Sequence, residues 1–571
     1  MNYLAIVVNL VCIYTVLATS LNLIMGYGGL FSVAHAAFFG IGAYVFALST
    51  IQLDAPFVVA LLLAFAAAAL ASAVISVPSL RISGDYLMLA TFAIQILATS
   101  LFLNLPITGG PAGIRNIPSA QFFGFPPNSR VGTLVGFVAV TAVCWYVMFE
   151  MARSPFGRVL KAIREDELAT ATVGKNVMWF KISAFAAGCG FAGIAGGMYA
   201  SLLSFINPDS FAIYMSFTIL VMVLLGGLAN PFGGLAGALA LTLLQEVLRL
   251  MLPSAVGAHV SQVLLGVILV AVVMKRPQGL LPEFASQGAF ATADTLTERG
   301  HADTRQLSFG RRHASSPALL PQPILQAKAL AKSYGGVRAV RRFDIDVRAG
   351  EIVGLIGPNG AGKTTVFDMI AGAVIPDGGT ISFDGKNVTR LAIHRRGQLG
   401  IGRLFQDARP LPNMTVLDNV LMAFDDLRRE APLLSFLPID REREHQRLEQ
   451  AHDCLRFVGL AEHASERAGS LSFGQQKLLG FARLMAQDAR LWLLDEPAAG
   501  VDPTMREEIK TAIARCRREL GITVVVVEHN MDFLRDLADR VVFMADGEVQ
   551  REGALAEIAA DPELSRRYLG A

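Results

Sequence analysis

Long apolar stretches follow one another through the first half of the chain, and only short polar breaks separate them. About 20 predominantly apolar residues are enough for a helix to cross a lipid bilayer. Because some stretches are short or interrupted by glycine, the pattern predicts about eight to ten membrane-spanning helices. The stretches lie near residues 3–25, 30–50, 56–77, 86–105, 131–150, 180–205, 213–228, 233–252 and 256–274.

Polar features orient this membrane half. The first stretch has no basic region ahead of it and further stretches follow at once, so we interpret it as a span rather than a cleaved signal peptide. The longest polar segment runs from Arg153 to Lys181 and carries six basic residues. Basic residues concentrate in the cytoplasmic loops of membrane proteins. We therefore expect this segment in the cytoplasm, together with Lys275–Arg276 after the last stretch.

The pattern changes beyond the last stretch. Residues 283–321 hold few large apolar side chains and show no sustained periodicity, which is typical of a flexible linker. From Ile324 onward, strand-like runs alternate with helical patterns, as in α/β domains. We predict a transmembrane domain at residues 1–282, a linker at 283–321 and an α/β domain at 322–571.

Charge is divided unevenly between the two halves. The chain has 571 residues, of which 53% are hydrophobic and 17% charged. Residues 1–282 contain only 12 of the 49 Lys and Arg residues and 8 of the 47 Asp and Glu residues. The net charge of +2 gives no indication of nucleic-acid binding. The five cysteines are scattered without a CxxC pair, which argues against a zinc site or a disulfide framework.

A glycine-rich loop within EIVGLIGPNGAGKTTVFDMIAG has the pattern that cradles phosphate groups. The run IVGLI predicts a buried strand before the loop, and the residues after it predict a helix whose N-terminus favours anions. Lys363 would place a positive charge at the β- and γ-phosphates, and the Thr364 hydroxyl would bind Mg²⁺. The predicted nucleotide-binding residues of this loop are Gly357, Pro358, Asn359, Gly360, Ala361, Gly362, Lys363, Thr364 and Thr365.

A second apolar run, RLWLLDEP, predicts a strand that ends in two acidic residues. Asp495 is placed to reach Mg²⁺, and Glu496 is placed beside it to polarise the attacking water. The alternative is that the two acids only cap the next helix. The phosphate-binding pattern upstream favours the catalytic interpretation.

Between these two motifs stands the run LSFGQQ at residues 471–476. Together with them, it makes residues 324–571 resemble an ATP-binding-cassette ATPase. In that family the equivalents of Ser472 and Gly474 contact an ATP molecule held by the phosphate loop of a partner cassette. The usual signature is LSGGQ, so Phe473 replaces a glycine in this chain.

Further positions fit the same resemblance. Gln406 resembles the glutamine that senses Mg²⁺ and the coupling interface, and His529 resembles the switch histidine at the γ-phosphate. Tyr334 resembles the aromatic residue that stacks on adenine, with a core tyrosine as the alternative, and Asp502 falls at the inter-subunit loop. ATP and Mg²⁺ are the implied cofactors. The resemblance assigns catalytic roles to Glu496, His529, Gln406 and Lys363, and metal binding to Thr364, Gln406 and Asp495.

Two glycine-rich interruptions break the apolar pattern of the membrane half. They are GYGGLFSVAHAAFFGIGAY at Gly26–Tyr44 and LLGGLANPFGGLAGA at Leu224–Ala238. Glycines in apolar segments permit close helix packing, and they also permit the broken helices that line solute sites. His35, in the first interruption, is either a functional residue or a neutral histidine bonded to a neighbouring helix. The few charges deep in the spans favour a small neutral or zwitterionic solute.

The membrane half is similar to the permeases of branched-chain amino-acid importers over about residues 5–282. The similarity rests on the two interruptions and on SGDYLMLATFA, TGGPAGI and SPFGRVLKAIREDELATATVGKN. In such permeases the segment corresponding to Arg158–Gly174 docks on an ATPase as the coupling helix. The resemblance also implies a second permease and a second ATP-binding subunit, or a homodimer, and an extracytoplasmic solute-binding protein.

These resemblances imply ATP-driven import by alternating access, in the lipid of the cell's inner (plasma) membrane, with the ATPase domain in the cytoplasm. Branched-chain or other hydrophobic amino acids are the expected solute, and urea, short amides or aromatic and carboxylic compounds are the alternative. Two other classes stay open: an exporter half-transporter and a membrane-anchored regulatory ATPase. An exporter usually has six long helices that extend into the cytoplasm, so the many short spans and the single compact loop favour the importer.

Overall fold

The computed structural model describes residues 2–80, 84–120, 130–251, most of 263–283, 323–424 and 441–561. The chain divides into two compact units, which we call the helical unit and the α/β unit. The predicted linker at 283–321 lies almost entirely outside the described residues, and the predicted domain boundaries stay predictions. Within the described ranges, the helical unit comprises residues 2–164 and 177–283, and the α/β unit comprises residues 165–176, 323–424 and 441–561.

The helical unit is built mainly from long apolar helices. Short 3₁₀ turns and a two-stranded antiparallel ribbon, β1 (Ile114–Arg115) with β2 (Phe205–Ile206), lie between them. Helix α7 (Glu167–Thr172) intervenes in the chain but belongs to the α/β unit. The helices are α1 (Asn2–Asn22), which a π-helical turn (Leu23–Tyr27) continues, α2 (His35–Gln52), α3 (Phe57–Ser79), α4 (Asp85–Asn104), α5 (Arg130–Arg153), α6 (Pro155–Glu165), α8 (Val177–Leu203), α9 (Ile213–Gly226) and α10 (Gly233–Met251).

Within the described residues, seven helices are long and apolar enough to cross a membrane, and the apolar helix Gly233–Leu248 is shorter. This finding confirms the predicted polytopic α-helical first half. The stretch predicted at 256–274 falls largely outside the described ranges. The core of the unit forms where α8 packs on α2 and α3, and where α1 packs on α10.

Helix α6 is amphipathic, unlike the spanning helices. Its apolar side chains recur at the spacing that places them on one face of a helix, and this face is buried. Its charged residues include Lys161 and Arg164 near the carboxyl end. The buried apolar residues are Phe156, Val159, Leu160 and Ile163.

The α/β unit contains a mixed sheet that has ten strands within the described residues. The strands are β3 (Leu325–Tyr334), β4 (Val337–Val347), β5 (Ile352–Ile356), β6 (Gly378–Phe383), β7 (Lys386–Asn387), β8 (Ile401–Leu404), β9 (Leu491–Asp495), β10 (Thr523–Val527), β11 (Arg540–Ala545) and β12 (Glu548–Gly553). The helices are α11 (Lys363–Ala371), α12 (Ile393–Leu399), α13 (Val416–Leu421), α14 (Arg441–Phe457), α15 (Phe473–Ala486), α16 (Pro503–Leu520), α17 (Met531–Arg535) and α18 (Leu555–Ala559).

The order of the strands brings three important loops together. The order across the sheet is β7-β6-β3-β4-β12-β11-β5-β10-β9-β8, and the five strands from β11 to β8 are parallel. Strands β5, β9 and β10 are buried along their whole length, as is usual in parallel sheets. Val527 pairs with Leu355 on one side and with Asp495 on the other, so these strands end at the same level. Their loops therefore meet at the edge where ligands bind in α/β folds.

Candidate functional site

The phosphate-binding pattern forms a tight loop between strand β5 and helix α11. Gly357 adopts a φ of +150°, and a Cβ there would lie 1.9 Å from the carbonyl oxygen of Met544, so a larger residue does not fit. Lys363 folds back over the loop and donates hydrogen bonds from Nζ to the carbonyls of Gly357 (2.7 Å) and Pro358 (2.8 Å). Burial lowers the pKa of Lys363, although the acidic side chains nearby oppose this shift.

Asp495 and Glu496 lie where strand β9 ends, and their surroundings differ. Asp495 is buried, with its Oδ2 3.4 Å from Nη2 of Arg403. Burial raises the pKa of Asp495 and the guanidinium of Arg403 opposes the rise. Glu496 has a left-handed φ of +46°, and its backbone N–H donates to the carbonyl of Val527 at 2.9 Å. Such a conformation is uncommon for a residue with a Cβ, and it recurs at functional sites.

The carboxylate of Glu496 contacts two other side chains that are predicted to be catalytic. Its Oε1 lies 3.1 Å from Nε2 of His529, and its Oε2 accepts a hydrogen bond from Nε2 of Gln406 at 3.1 Å. Gln406 follows β8, Glu496 follows β9 and His529 follows β10. Neighbouring parallel strands thus deliver the three residues to one place.

Two residues of this edge escaped the sequence analysis. Glu528 is buried and accepts hydrogen bonds from the N–H groups of Ala498 (2.8 Å) and His529 (3.2 Å), and burial raises its pKa. Lys477 donates from Nζ to the Glu496 carbonyl at 2.8 Å. A usable signal existed only for Glu528, because it directly follows the apolar run TVVVV, as Asp495 follows its own strand.

The remaining predicted nucleotide contacts lie on other elements. Ser472 caps helix α15, where its hydroxyl and Gln475 form a reciprocal capping box, and Gly474 occupies the first turn. Phe473 is 41% exposed, and Nζ of Lys477 lies 5.0 Å from its ring centroid. Tyr334 is exposed at the end of β3, and Asp502 caps helix α16 by accepting from the Met505 N–H at 3.0 Å.

Residues Glu165–Asn176, which we call the docking segment, lie in the α/β unit although the chain on both sides of them belongs to the helical unit. Asp166 caps α7 by accepting a hydrogen bond at Oδ1 from the Ala169 N–H. Its Oδ2 lies 3.0 Å from Nη1 of Arg409. The larger part of the predicted coupling segment, Arg158–Gly174, therefore packs within the α/β unit.

Polar side chains hold the backbone of the docking segment. Arg483 is buried, and burial lowers the pKa of its guanidinium to about 10. It donates from Nη2 to the Ala169 carbonyl at 3.4 Å and from Nη1 to the Arg409 carbonyl at 2.8 Å. Further hydrogen bonds join Gln487 Nε2 to the carbonyl of Thr172 (3.0 Å), Gln398 Nε2 to that of Gly174 (2.9 Å) and Lys175 Nζ to that of Phe424 (2.6 Å).

The two glycine-rich interruptions of the helical unit meet each other. Asn22 is buried and accepts a hydrogen bond at Oδ1 from the Ala229 N–H (3.0 Å), while its Nδ2 donates to the Asn230 carbonyl (2.8 Å). A Cβ on Gly26 would lie 2.4 Å from the Ala229 nitrogen. The interruptions therefore break the helices and permit a close approach of the backbones, which supports the packing interpretation, while a solute site lined by these broken helices stays a prediction.

Helix α6 contacts the first of these interruptions. Arg164 donates from Nη1 to the Gly26 carbonyl at 2.6 Å, and its Nη2 lies 2.9 Å from Oε1 of Glu283. Lys161 lies 3.3 Å from the same carboxylate oxygen. The interrupted helix α1 is thus tied to the element that directly precedes the docking segment in the chain.

His35 begins helix α2 and is 1% exposed. Its Nε2 lies 2.8 Å from the Ser20 hydroxyl, and its Nδ1 has no hydrogen-bond partner among the described residues. The next two backbone N–H groups of α2 donate to the side chains of Ser216 and Gln95. These contacts support the structural interpretation of His35, in which a neighbouring helix binds it.

Asn22→Leu is expected to lower the thermal stability of the assembled protein. The substitution leaves the N–H of Ala229 and the carbonyl of Asn230 buried without their partner, at a cost of about 1–3 kcal/mol each. Thermal unfolding of the purified complex measures the effect. Asn104→Leu is the matched control, because Asn104 is exposed and, among the described residues, its side chain bonds to Ser100 of its own helix. Equal unfolding temperatures for the two variants would contradict the role of Asn22.

Two family models match the chain. The one described as the permease component of branched-chain amino acid transport systems matches residues 3–273, and the one described as ABC transporter matches residues 340–499. The first covers most of the helical unit, and the second covers the phosphate loop, the signature and the two acidic residues at the end of β9.

Similar curated proteins and solved structures exist for part of the chain. The high-affinity branched-chain amino acid transport ATP-binding protein BraF of Pseudomonas aeruginosa is 36% identical over 254 residues, which are 44% of this chain and 99% of BraF. The probable branched-chain amino acid transport ATP-binding protein LivG of Archaeoglobus fulgidus is 37% identical over 248 residues, 43% of this chain and 96% of that protein. A crystal structure of the ADP conformation of an ATP-binding cassette is 31% identical, covers 43% of this chain and 99% of its own, and has a TM-score of 0.39.

Proposed function

This chain belongs to the ATP-binding-cassette transporters of the branched-chain amino-acid transport family, and from this premise we propose that it imports branched-chain or other hydrophobic amino acids. One observation carries the proposal: both halves match components of the same kind of transport system. The permease model matches residues 3–273. BraF, which matches 254 residues of this chain, is a branched-chain amino acid transport ATP-binding protein. One polypeptide thus carries the apolar helices of a membrane permease and an ATP-hydrolysing domain.

In the proposed ATP site, the loop from Gly357 to Thr365 wraps the phosphates, and the Lys363 ammonium exchanges its contacts with the loop carbonyls for the β- and γ-phosphates. Tyr334, which is exposed, stacks on the adenine. The positive end of helix α11 adds to the attraction for phosphate. Catalysis of phosphoryl transfer is mostly positioning and charge neutralisation, which such a loop supplies.

The residues beside the loop fit Mg²⁺. Thr364, Gln406 and Asp495 offer a hydroxyl, an amide and a carboxylate oxygen, which are the hard ligands that Mg²⁺ prefers. Gln406 uses its amide nitrogen for Glu496, so its amide oxygen is available to a metal. When bound, Mg²⁺ would neutralise charge on the β- and γ-phosphates.

Glu496 is the proposed base, because its carboxylate is already oriented from both sides. His529 and Gln406 each contact a different oxygen of it. In this proposal Glu496 orients the attacking water and accepts its proton, while His529 contacts the γ-phosphate. The left-handed backbone of Glu496 and the Lys477 contact to its carbonyl hold this geometry.

The proposed ATP site is completed by a second cassette. Ser472 caps the N-terminus of helix α15, and Gly474 lies in its first turn. The N-terminus of this 14-residue helix favours anions. We assign Ser472 and Gly474 to the ATP of a partner, either a separate ATP-binding subunit or a second copy of this chain. The helical unit pairs with a second permease in the inner membrane, the α/β unit lies in the cytoplasm, and an extracytoplasmic binding protein delivers the solute.

Uptake of labelled leucine by cells that carry this chain with its partner subunits tests the proposal. We expect uptake that unlabelled valine competes for and that Lys363→Ala abolishes, because loss of the Lys363 charge weakens ATP binding. Urea, benzoate and glutamate are the competitors of other chemistry. They compete with leucine only if the solute pathway accepts them.

The possible outcomes test the identity of the solute separately from the ATPase assignment. Competition by urea or benzoate but not by valine would contradict the amino-acid proposal and favour the alternative solutes. Absence of leucine uptake by an assembled complex that hydrolyses ATP would contradict the amino-acid proposal and leave the ATPase assignment in place.

A further inference from the structure

Arg403 connects the metal-binding edge of the ATP site with its surroundings. It lies on strand β8 and is buried. Its Nη2 lies 3.4 Å from Oδ2 of Asp495, and its Nη1 pairs with Asp368 on helix α11. Arg403 therefore fixes the carboxylate that we assign to Mg²⁺ against the helix that follows the phosphate loop.

The same guanidinium reaches the docking segment through an aromatic ring. The Cζ of Arg403 lies 4.5 Å from the ring centroid of Phe405, and the Cζ of Arg409 lies 4.9 Å from the same centroid. Both are cation–π contacts. Arg409 in turn pairs with Asp166 of the docking segment at 3.0 Å. A chain of direct contacts thus runs from Asp166 to Asp495.

The conformation of Arg409 depends on neighbours that also hold the docking segment. Its φ of +41° is unfavourable for a residue with a Cβ. Such a conformation persists only where the surrounding structure imposes it. Arg483 does so, because it donates both to the Arg409 carbonyl and to the Ala169 carbonyl of the docking segment.

We propose that Arg403 is a positioning residue through which the docking segment controls metal binding at the ATP site. Docking of Asp166 holds Arg409 against the Phe405 ring, the ring holds Arg403, and Arg403 holds Asp495 in the position that binds metal. When the docking contact is lost, Asp495 is held less firmly and metal binding weakens. The proposal concerns the hydrolytic site and does not depend on which solute the protein carries.

Mn²⁺ binding to the complete transporter complex tests this relay. Mn²⁺ replaces Mg²⁺ as a paramagnetic probe, the complex carries a non-hydrolysable ATP analogue, and electron paramagnetic resonance measures the metal affinity. Asp166→Asn removes the charge that pairs with Arg409 and keeps an oxygen that caps α7. Phe405→Leu removes the ring and keeps an apolar side chain. We expect each variant to weaken Mn²⁺ binding roughly three- to tenfold.

The double variant distinguishes a relay from two separate effects. Both substitutions break the same chain of contacts. The double variant, Asp166→Asn with Phe405→Leu, is therefore expected to have the same Mn²⁺ affinity as the single variant that has the lower affinity. Phe405→Tyr keeps the ring and is expected to bind Mn²⁺ as the wild type does. Asp453→Asn is the matched control, because Asp453 pairs with Arg456 on helix α14 and is a member of none of these contacts.

Binding of the nucleotide analogue without metal, in the presence of a chelator, is measured in parallel. A purely structural role would lower this affinity as well, whereas the relay leaves it unchanged. The proposal is overturned by unchanged Mn²⁺ affinity in Asp166→Asn, by multiplication of the two single effects in the double variant, or by an equal loss of metal-free nucleotide binding.

Discussion

Glu496→Gln is expected to bind ATP with wild-type affinity and to lose roughly 10²–10⁴-fold in hydrolysis rate, the usual contribution of a general base. Glutamine has nearly the shape of glutamate, so the turn after β9 and its backbone hydrogen bond to Val527 are retained. An amide cannot accept the proton of the attacking water. The variant therefore separates binding, which the phosphate loop supplies, from proton acceptance.

Two controls make this result specific. Lys363→Ala is expected to weaken ATP binding itself, because it removes the positive charge at the phosphates. Glu507→Gln makes the same chemical change at an exposed position of helix α16 and is expected to hydrolyse ATP normally. ATPase rate and labelled-ATP binding are measured on the complex assembled with its partners. Normal hydrolysis by the Glu496 variant there would remove Glu496 from the role of base.

The catalytic edge could be predicted from the sequence because strand topology determines it. Gln406, Glu496 and His529 follow the neighbouring parallel strands β8, β9 and β10. A buried apolar run that ends in a polar residue is a local signal, and parallel strands bring such ends to one edge. The same signal marks Glu528, which the sequence analysis left out. The roles of these residues stay predictions, although their proximity is now described.

The long-range contacts of the docking segment and of the glycine-rich interruptions could not be predicted in the same way. Asp166 and Arg409 lie 243 residues apart in the chain, and Asn22 and Ala229 lie 207 apart. Hydrophobic periodicity indicates which face of a helix is buried but not which distant side chain meets it. Arg483 gave the one local sign, because it is a charged residue within the apolar run GFARLMA of helix α15.

Arg483→Met is expected to lower the amount of solute imported per ATP hydrolysed by about tenfold or more, while ATP binding stays near the wild-type level. Methionine keeps a flexible unbranched side chain that can pack in a buried position, but it is shorter than arginine and donates no hydrogen bond. The carbonyls of Ala169 and Arg409 then lose their buried donor, which costs about 1–3 kcal/mol each. A coupling free energy of this size corresponds to about a 5–150-fold change in the linked process.

Uptake and ATPase rate measured on the same proteoliposomes give the ratio. Arg456→Met removes an equivalent charge from an exposed pair with Asp453 and is expected to leave the ratio unchanged. At saturating Mg²⁺, which compensates for any weaker metal binding, a proportional fall in uptake and hydrolysis in the Arg483 variant would indicate a damaged ATP site and not a weakened docking segment. The interpretation of residues 165–176 as the coupling element depends on the opposite result, in which hydrolysis continues and transport does not. The reason is that loss of a coupling element uncouples ATP hydrolysis from solute transport without stopping hydrolysis itself.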